Sequence, residues 1–339
     1  MSSLTEQIFN WINDQALKLG FLESAPLKLE KDPNFESYKK WVDGKHHLPL
    51  EYLNKNLDKR EHPKKLGENL NSAIIFLHPY PIKWRSQYIA KYASGEDYHY
   101  ILREKIKQLS HKFSEEWGAL DDQKICVDTI PILERSLAQK SGLGWIGKNG
   151  CLISRKHGSF TLLSTWLISL NYNPPETKKE QNNFHCGTCT RCIEACPTDA
   201  FLEPGKIKVE DCLSTQTIEN RKLIPENYFD SIETSAFGCD ICQDVCPWNR
   251  KEFTDEYEEY LPPLEKLLLM EEKEFRSYFR KTPLIRPGWA GLKRNFLILA
   301  SNDPTISIST FKKYAMHQNE IISQTAINIL KKKNNEIYI

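Results

Sequence analysis

Cys186-Gly-Thr-Cys189-Thr-Arg-Cys192-Ile-Glu-Ala-Cys196-Pro197 and, further on, Cys239-Asp-Ile-Cys242-Gln-Asp-Val-Cys246-Pro247 decide how this chain is read. The first run has the spacing C-x2-C-x2-C-x3-C-P. In bacterial two-cluster proteins that spacing supplies three thiolates to one [4Fe–4S] cubane and sends the fourth to the other. The second run lacks the leading Cys, and Ala236 stands in its place. Cys212, between the runs, fills the vacancy. Cluster one then takes Cys186, Cys189, Cys192 and Cys246, and cluster two takes Cys196, Cys212, Cys239 and Cys242. Two-residue gaps let a tight loop wrap a cube and turn its N–H groups toward the sulfurs. The Cys-Pro step ends the helix that carries the last ligand. Structural zinc ribbons also use C-x2-C pairs, but have no use for a third and fourth Cys at these intervals. The stretch points to one-electron transfer.

Working outward, 339 residues suffice for two or three domains. The chain is 40% hydrophobic and 27% charged, with net charge +1. That is ordinary globular composition, so any nucleic-acid contact rests on a local patch. Of ten Cys, the clusters leave only Cys126 and Cys151, which read as buried strand residues. The start, Met1-Ser-Ser-Leu-Thr-Glu-Gln7, has neither a basic nor an apolar leader segment, and no run of 18 apolar residues follows. A cytoplasmic, membrane-free and monomeric protein is expected.

Ser3-Leu-Thr-Glu6 has the form of a capping box for a helix over 3–19, ended by Gly20. Residues 24–69 read as polar and irregular, with Asp58-Lys-Arg60-Glu-His-Pro63 as a solvated charged turn. Strands are expected at 72–78, 124–130 and 160–170, the last broken at its centre, with a helix over Tyr98–Trp117. Strands alternating with helices give an α/β or α+β N-terminal domain. Asp128 stands at a strand end before Pro131. The Gly142-Leu-Gly-Trp-Ile-Gly-Lys148-Asn149-Gly150 segment fits no phosphate-loop pattern. It is either a loop that holds a flat or bulky cofactor or a tight turn. His78 and His185 lack a partner that would make a metal site.

Beyond the clusters, 251–282 is acidic around Asp255 and then helical, anchored by Tyr257, Tyr260, Leu264 and Leu268. The sign then flips: Arg276, Arg280, Lys281, Arg286, Lys293 and Arg294 lie beside Tyr278 and Trp289. Cations interleaved with aromatics suit a phosphate backbone and an unstacked base. Lys140, Arg155 and Lys156 are candidate extensions of that patch. Residues 288–334 read as helices split at Asn302-Asp-Pro304 and near Gln318-Asn319, too few to stand alone.

Val127-Asp-Thr-Ile-Pro-Ile-Leu-Glu-Arg135, then Gly142 to Asn149, then the two cluster runs and Pro247-Trp248-Asn249-Arg250, taken in that order, resemble the epoxyqueuosine reductases from about residue 5 to about 330. Gly291-Leu-Lys-Arg-Asn295 is similar to the short HEAT-like repeat of that family. The resemblance implies an α+β protein in three parts: a cobalamin-binding catalytic α/β domain at 1–180, a ferredoxin-like two-[4Fe–4S] domain at 181–252, and a helical HEAT-like tRNA-contacting region at 253–339. It implies reduction of epoxyqueuosine to queuosine at the tRNA wobble position, by a cobalamin reduced through the two clusters. Asp128 would be the proton donor. Arg60, Lys148, Asn149 and Ser214 are candidates for holding the corrinoid. Arg276, Arg280, Arg286, Lys293 and Arg294 are candidates for the anticodon stem-loop. An electron donor such as a flavodoxin or ferredoxin system is needed.

Three other readings use similar parts. A corrinoid reductive dehalogenase shares the cofactors but usually carries an export signal. A ferredoxin-type carrier has clusters but no use for the Asp128 and Gly142–Asn149 stretches. A corrinoid-processing chaperone would not need two low-potential clusters.

Overall fold

The computed structural model describes residues 3–85, 88–174, 184–249 and 259–337. Helix α1 (Glu6–Lys18) is capped by Thr5, whose hydroxyl accepts the Ile8 N–H at 3.3 Å. Ser3 is not the cap; it forms an extended bridge with Asn171. The stretch expected to be irregular is instead built from β1 (Glu23–Lys28), α2 (Phe35–Asp43), a 3-10 turn at Glu51–Asn54 and α3 (Leu57–Glu61). Pro26 hides β1 from sequence reading, yet β1 lies at the sheet edge, where the missing N–H costs least.

There follow β2 (Ser72–Pro79), β3 (Trp84–Arg85), α4 (Tyr98–Trp117), β4 (Gln123–Cys126) and α5 (Glu134–Ser141). The hairpin β5 (Trp145–Ile146) and β6 (Leu152–Ile153) precedes an unbroken β7 (Thr161–Ile168). The central sheet runs β1-β2-β7-β4 with every neighbouring pair antiparallel. The N-terminal part is therefore α+β rather than parallel α/β. Strand β4 stops at Cys126, short of the expected Ile130, because Asp128 turns the chain with φ +56°.

The period of two along β2 divides the core. Ile74 and Phe76 face α1 and α4 with Ile12, Ile106, Phe113 and Trp166. Ala73, Ile75 and Leu77 face α5 with Leu137, Ala138 and the fully buried Cys126.

The cluster segment is mostly turns: α6 (Arg191–Glu194), β8 (Phe201–Glu203), β9 (Lys206–Ile207), a π-turn at Thr215–Glu219 and α7 (Ile241–Asp244). β10 (Glu259–Tyr260) pairs in parallel with β3. Then come α8 (Leu264–Leu269), α9 (Glu272–Tyr278), α10 (Gly288–Ser301), α11 (Ile308–Ala315) and α12 (Glu320–Ile337), with the breaks where the sequence put them. Their core is shared with the cluster segment: Phe296 and Leu297 of α10 join Leu213, Ile218, Phe229 and Phe237 in one apolar cluster. The expected domain boundaries near 180 and 252, together with Arg250, Asp255 and Tyr257, lie outside the described residues. Among those described, no helix is long and apolar enough to cross a membrane.

Asn249 joins the sheet part to the cluster segment. Its Oδ1 accepts the Ser159 N–H at 2.6 Å, and its Nδ2 donates to Ser159 Oγ at 2.9 Å and Gln243 O at 2.8 Å. Gly158 beside it has φ +69°, and a Cβ there would overlap Asn249 Oδ1 and press on Trp248 O at 2.9 Å. Gly158→Ala should cost about 1–3 kcal/mol, read as a lowered Tm of the cluster-loaded protein. An unchanged Tm would show that this joint yields without cost.

Candidate active site and cluster centres

The single-turn helices α6 and α7 each carry the end of a Cys run. Cys186, Cys189, Cys192 and Cys246 line one small cavity, together with Lys148, Asn149, His185 and Trp248. The Cys192 thiol is pushed up by burial and by the closeness of Cys186, with Cys246 and Cys189 also contributing. The last Cys of the second run thus joins the first three. Cys239 is pushed up to about 12 by burial, with Cys212 and Cys196 beside it. Cys242 is raised by burial and by its neighbours Cys151, Cys239 and Cys212. Thiols that stay neutral when bare become ligands by giving their protons to the incoming metal.

Several residues named as corrinoid candidates contact the Cys segment. The Lys148 ammonium donates to Gly187 O at 2.8 Å within the first Cys loop. Asn149 reaches Cys242 O at 3.4 Å, and its Oδ1 accepts the Cys151 N–H at 3.1 Å. Ser214, through its N–H and its hydroxyl, supports the Cys212 sulfur, which burial otherwise raises. The Gly142–Asn149 segment contains β5 and packs on the cluster segment through Lys148 and Asn149. Cys151 is pushed up to about 11 by burial. His78 is a satisfied core histidine: burial and the Lys105 ammonium, 2.7 Å from its Nε2, bring it down to about 4.

Asp128 follows β4 in a left-handed backbone conformation that aspartate tolerates but few other residues do. Its carboxylate is 58% exposed. The Tyr98 hydroxyl donates to Asp128 Oδ2, and His99 Nε2 lies 3.7 Å from the same oxygen. His99 is held from behind, its Nδ1 being 2.7 Å from Asp97 Oδ1, and Tyr98 stacks on it with centroids 4.2 Å apart. The Asp128 N–H donates to Glu134 Oε1 at 3.3 Å. Burial, and then the Asp128 charge, push Glu134 up to about 8, so it carries a proton at neutral pH.

Around this carboxylate stands an aromatic wall that sequence reading missed. Tyr92 packs edge-on to Tyr98 at 6.0 Å, and burial, then Asp128, raise it far beyond the usual phenol range. Tyr52 is raised by burial, with Glu219, Arg286, Asp128 and Arg60 acting on it in turn. Arg60 is not solvated. It is buried under the Tyr38 ring at 5.6 Å, and donates to Lys55 O at 3.3 Å and to Tyr52 O at 3.5 Å. Tyr38 meets Trp41 at 5.8 Å, and Trp41 meets His47 at 6.2 Å. His47 is buried with both ring nitrogens unpaired. A buried ring with no partner calls for one, and a bulky cofactor with a polar rim fits this wall. The only signal in the sequence was Tyr38 and Trp41 at helical spacing inside a stretch that otherwise looks solvated.

A family model described as a 4Fe-4S double cluster binding domain matches residues 185–249, and one described as epoxyqueuosine reductase QueG, DUF1730, matches residues 60–129. The epoxyqueuosine reductase of Cyclobacterium marinum is 38% identical over 300 residues, covering 84% of this chain and 94% of its own length. The chain belongs to the epoxyqueuosine reductase family. The solved epoxyqueuosine reductase of Streptococcus thermophilus matches with a TM-score of 0.85 at 28% identity, covering 96% of this chain and 90% of that one. An epoxyqueuosine reductase solved with an epoxyqueuosine-modified tRNA-Tyr stem loop shares the fold, with a TM-score of 0.82 at 23% identity, 94% of this chain and 88% of that one.

The basic segment of this family member divides in two. Arg276, Arg280 and Arg286 are exposed. The segment adjoins Asp128's surroundings, since Lys281 O accepts the Asp97 N–H at 2.7 Å and Arg286 acts on both Asp97 and Tyr52. Arg286 also pairs with Glu219 at 2.6 Å. Lys293 and Arg294, expected at the surface, are instead buried inside α10. Lys293 donates to Leu268 O at 2.7 Å, and burial lowers it to about 8. Of the candidate extensions, Lys140 pairs with Glu30 at 3.1 Å, Arg155 contacts His185 at 2.6 Å, and Lys156 lies 3.7 Å from Glu23.

The raised Glu134 predicts a pH dependence. The folded chain keeps a proton that the unfolded chain gives up between 4.5 and about 8, so this contribution to stability is lost as pH rises through that window. Glu134→Gln should flatten that fall, losing several degrees less in Tm than the parent between pH ~5 and ~8. Parallel curves would remove Glu134 as the titrating group.

Proposed function

We propose that this chain reduces epoxyqueuosine to queuosine at the wobble position of tRNA. Each turnover joins one epoxide, two electrons and two protons to give an alkene and water. The observation that carries this reading is the direct contact, at Asp97 and Lys281, between an exposed basic segment and the start of α4, whose Tyr98 and His99 meet Asp128. A base presented by phosphates held on that segment reaches a carboxylate open to solvent. The solved relative with a modified stem loop supports the same substrate. In this reading the eight thiols hold two cubanes, divided as the cavity and the thiol neighbours suggest, and a donor such as a flavodoxin or ferredoxin loads them.

Cobalamin fits the wall beside Asp128. His47 and Tyr52 would meet its polar rim, and it would supply a two-electron store between one-electron clusters and substrate. Asp128 protonates the departing oxygen as general acid. Tyr98, whose own proton is held firmly by burial, orients the Asp128 carboxylate, and His99 stands ready to return a proton to it. Arg60 keeps Tyr38 and Tyr52 in place. Arg276 and Arg280 hold phosphates, and Arg286 links that surface to Glu219.

Nucleosides from tRNA of a strain lacking the gene should contain epoxyqueuosine, cleared when the gene is restored; normal queuosine in the deletion strain would count against the reading. Asp128→Asn should lower turnover at least ~100-fold while leaving the cluster absorption unchanged, and a fully active variant would remove Asp128 from the chemistry. Arg276→Ala with Arg280→Ala should weaken stem-loop binding and flatten its salt dependence by about 0.7 per lost phosphate contact. An unaltered slope would place the phosphates elsewhere.

A further inference from the structure

The second Cys run lacks its leading thiol, and the replacement, Cys212, comes from a separate segment. Something must hold the two segments in register, and the loop between them does not do it alone. Asn295 of α10 bridges them, and Arg294 beside it braces Asn295 and the Cys212 side. Asn295 Nδ2 donates to Thr217 O at 2.7 Å, just beyond Cys212, and to Ala236 O at 2.8 Å, at the position where the leading Cys is missing. Arg294 Nη2 donates to Gln216 O at 3.0 Å, its Nη1 to Asn220 O at 3.0 Å and to Lys222 O, and its Nε to Asn295 Oδ1 at 2.9 Å. Both side chains are fully buried. Among the described residues no carboxylate pairs with Arg294; backbone carbonyls and the Asn295 Oδ1 receive its donors.

The local backbone explains why these groups are needed. Thr215–Glu219 is a π-turn, so its carbonyls are displaced from the usual i→i−4 partners. Left bare in an apolar core they would be costly. A planar guanidinium with five donors covers several at once, which a lysine ammonium at one point does not. Thr217 completes the bridge: its hydroxyl donates to Leu213 O at 2.7 Å and accepts the Gly238 N–H, next to Cys239, at 3.0 Å.

We infer that Arg294 and Asn295 are positioning residues for cluster two, setting Cys212 against Cys239 and Cys242 from the C-terminal helical part. The inference rests on the thiol assignment proposed above, but not on the tRNA substrate. The same π-turn ends in Glu219, which pairs with Arg286. The side chains that register cluster two therefore also fix the acidic partner of the exposed basic segment.

The test uses full-length, anaerobically loaded protein. Cys212→Ser first identifies which of the two reduced-cluster EPR signals belongs to cluster two. If that variant alters neither signal, the thiol assignment fails, whatever Asn295 does. With the signal identified, Asn295→Ser and Arg294→Lys should shift its potential or line shape, or remove it with about half of the iron, leaving the cluster-one signal as in the parent. Two unchanged signals would overturn the inference. So would equal loss of both in Asn295→Ser, which would show a general packing role. If Arg294→Lys does not fold, Asn295→Ser alone decides. Queuosine formation is not needed for the readout, so failure of the substrate reading leaves this test intact.

Discussion

The two Cys runs cross: each sends one thiol among the thiols of the other side, and that crossing ties the two runs together. Cys246 leaves its own run to line the cavity of Cys186, Cys189 and Cys192, and Cys196 sits with Cys239 and Cys212. Single-turn helices such as α6 and α7 are too short to persist by themselves. They hold because their ends are tied across one another and to the sheet part through Asn149 and Asn249. The apolar cluster that unites α10 with Phe229 and Phe237 then grows on this frame. The C-terminal helices are thus the second wall of the cluster segment rather than a separate unit.

What the sequence showed clearly was local. The Cys spacing, the 3.6 period of Tyr98–Trp117, the apolar run of Ser72–Pro79 and the Asn302–Pro304 break each carry their own signal within a few residues. What it hid was tertiary. Arg60, Tyr38 and Trp41 look like members of a solvated stretch, and only folding against one another and the cluster segment buries them. Lys293 and Arg294 were read as surface cations because they follow Arg276 and Arg286. A better signal was present: α10 is apolar almost all round, from Leu292 through Phe296 to Ala300, and a helix of that kind is buried. Cations inside it had to find carbonyls.

The carboxyl pair Asp128 and Glu134 shows how the fold separates two like groups. Two adjacent carboxylates cannot both hold their charge cheaply. Burial pushes Glu134 up to about 8, while the Asp128 carboxylate projects outward. The left-handed backbone at Asp128 makes this division. It ends β4, swings the side chain to the open side, and leaves the N–H pointing back at Glu134. Such a conformation persists only where neighbours over-determine it, and here Tyr98, His99 and Glu134 all bear on one residue.

In the function proposed above, protons and electrons approach from different elements. The carboxylate is set by α4 and the β4 end, parts of the sheet domain. The segments of Cys212 and of the second Cys run are built on the π-turn and α7, and Asn295 of α10 bonds both. The two sides meet where Tyr52 feels Asp128 from one side and Glu219 and Arg286 from the other. A reaction needing two electrons and two protons at one oxygen gains from this arrangement. Each supply is built on its own scaffold, and Arg286, paired with Glu219, is where the two are joined.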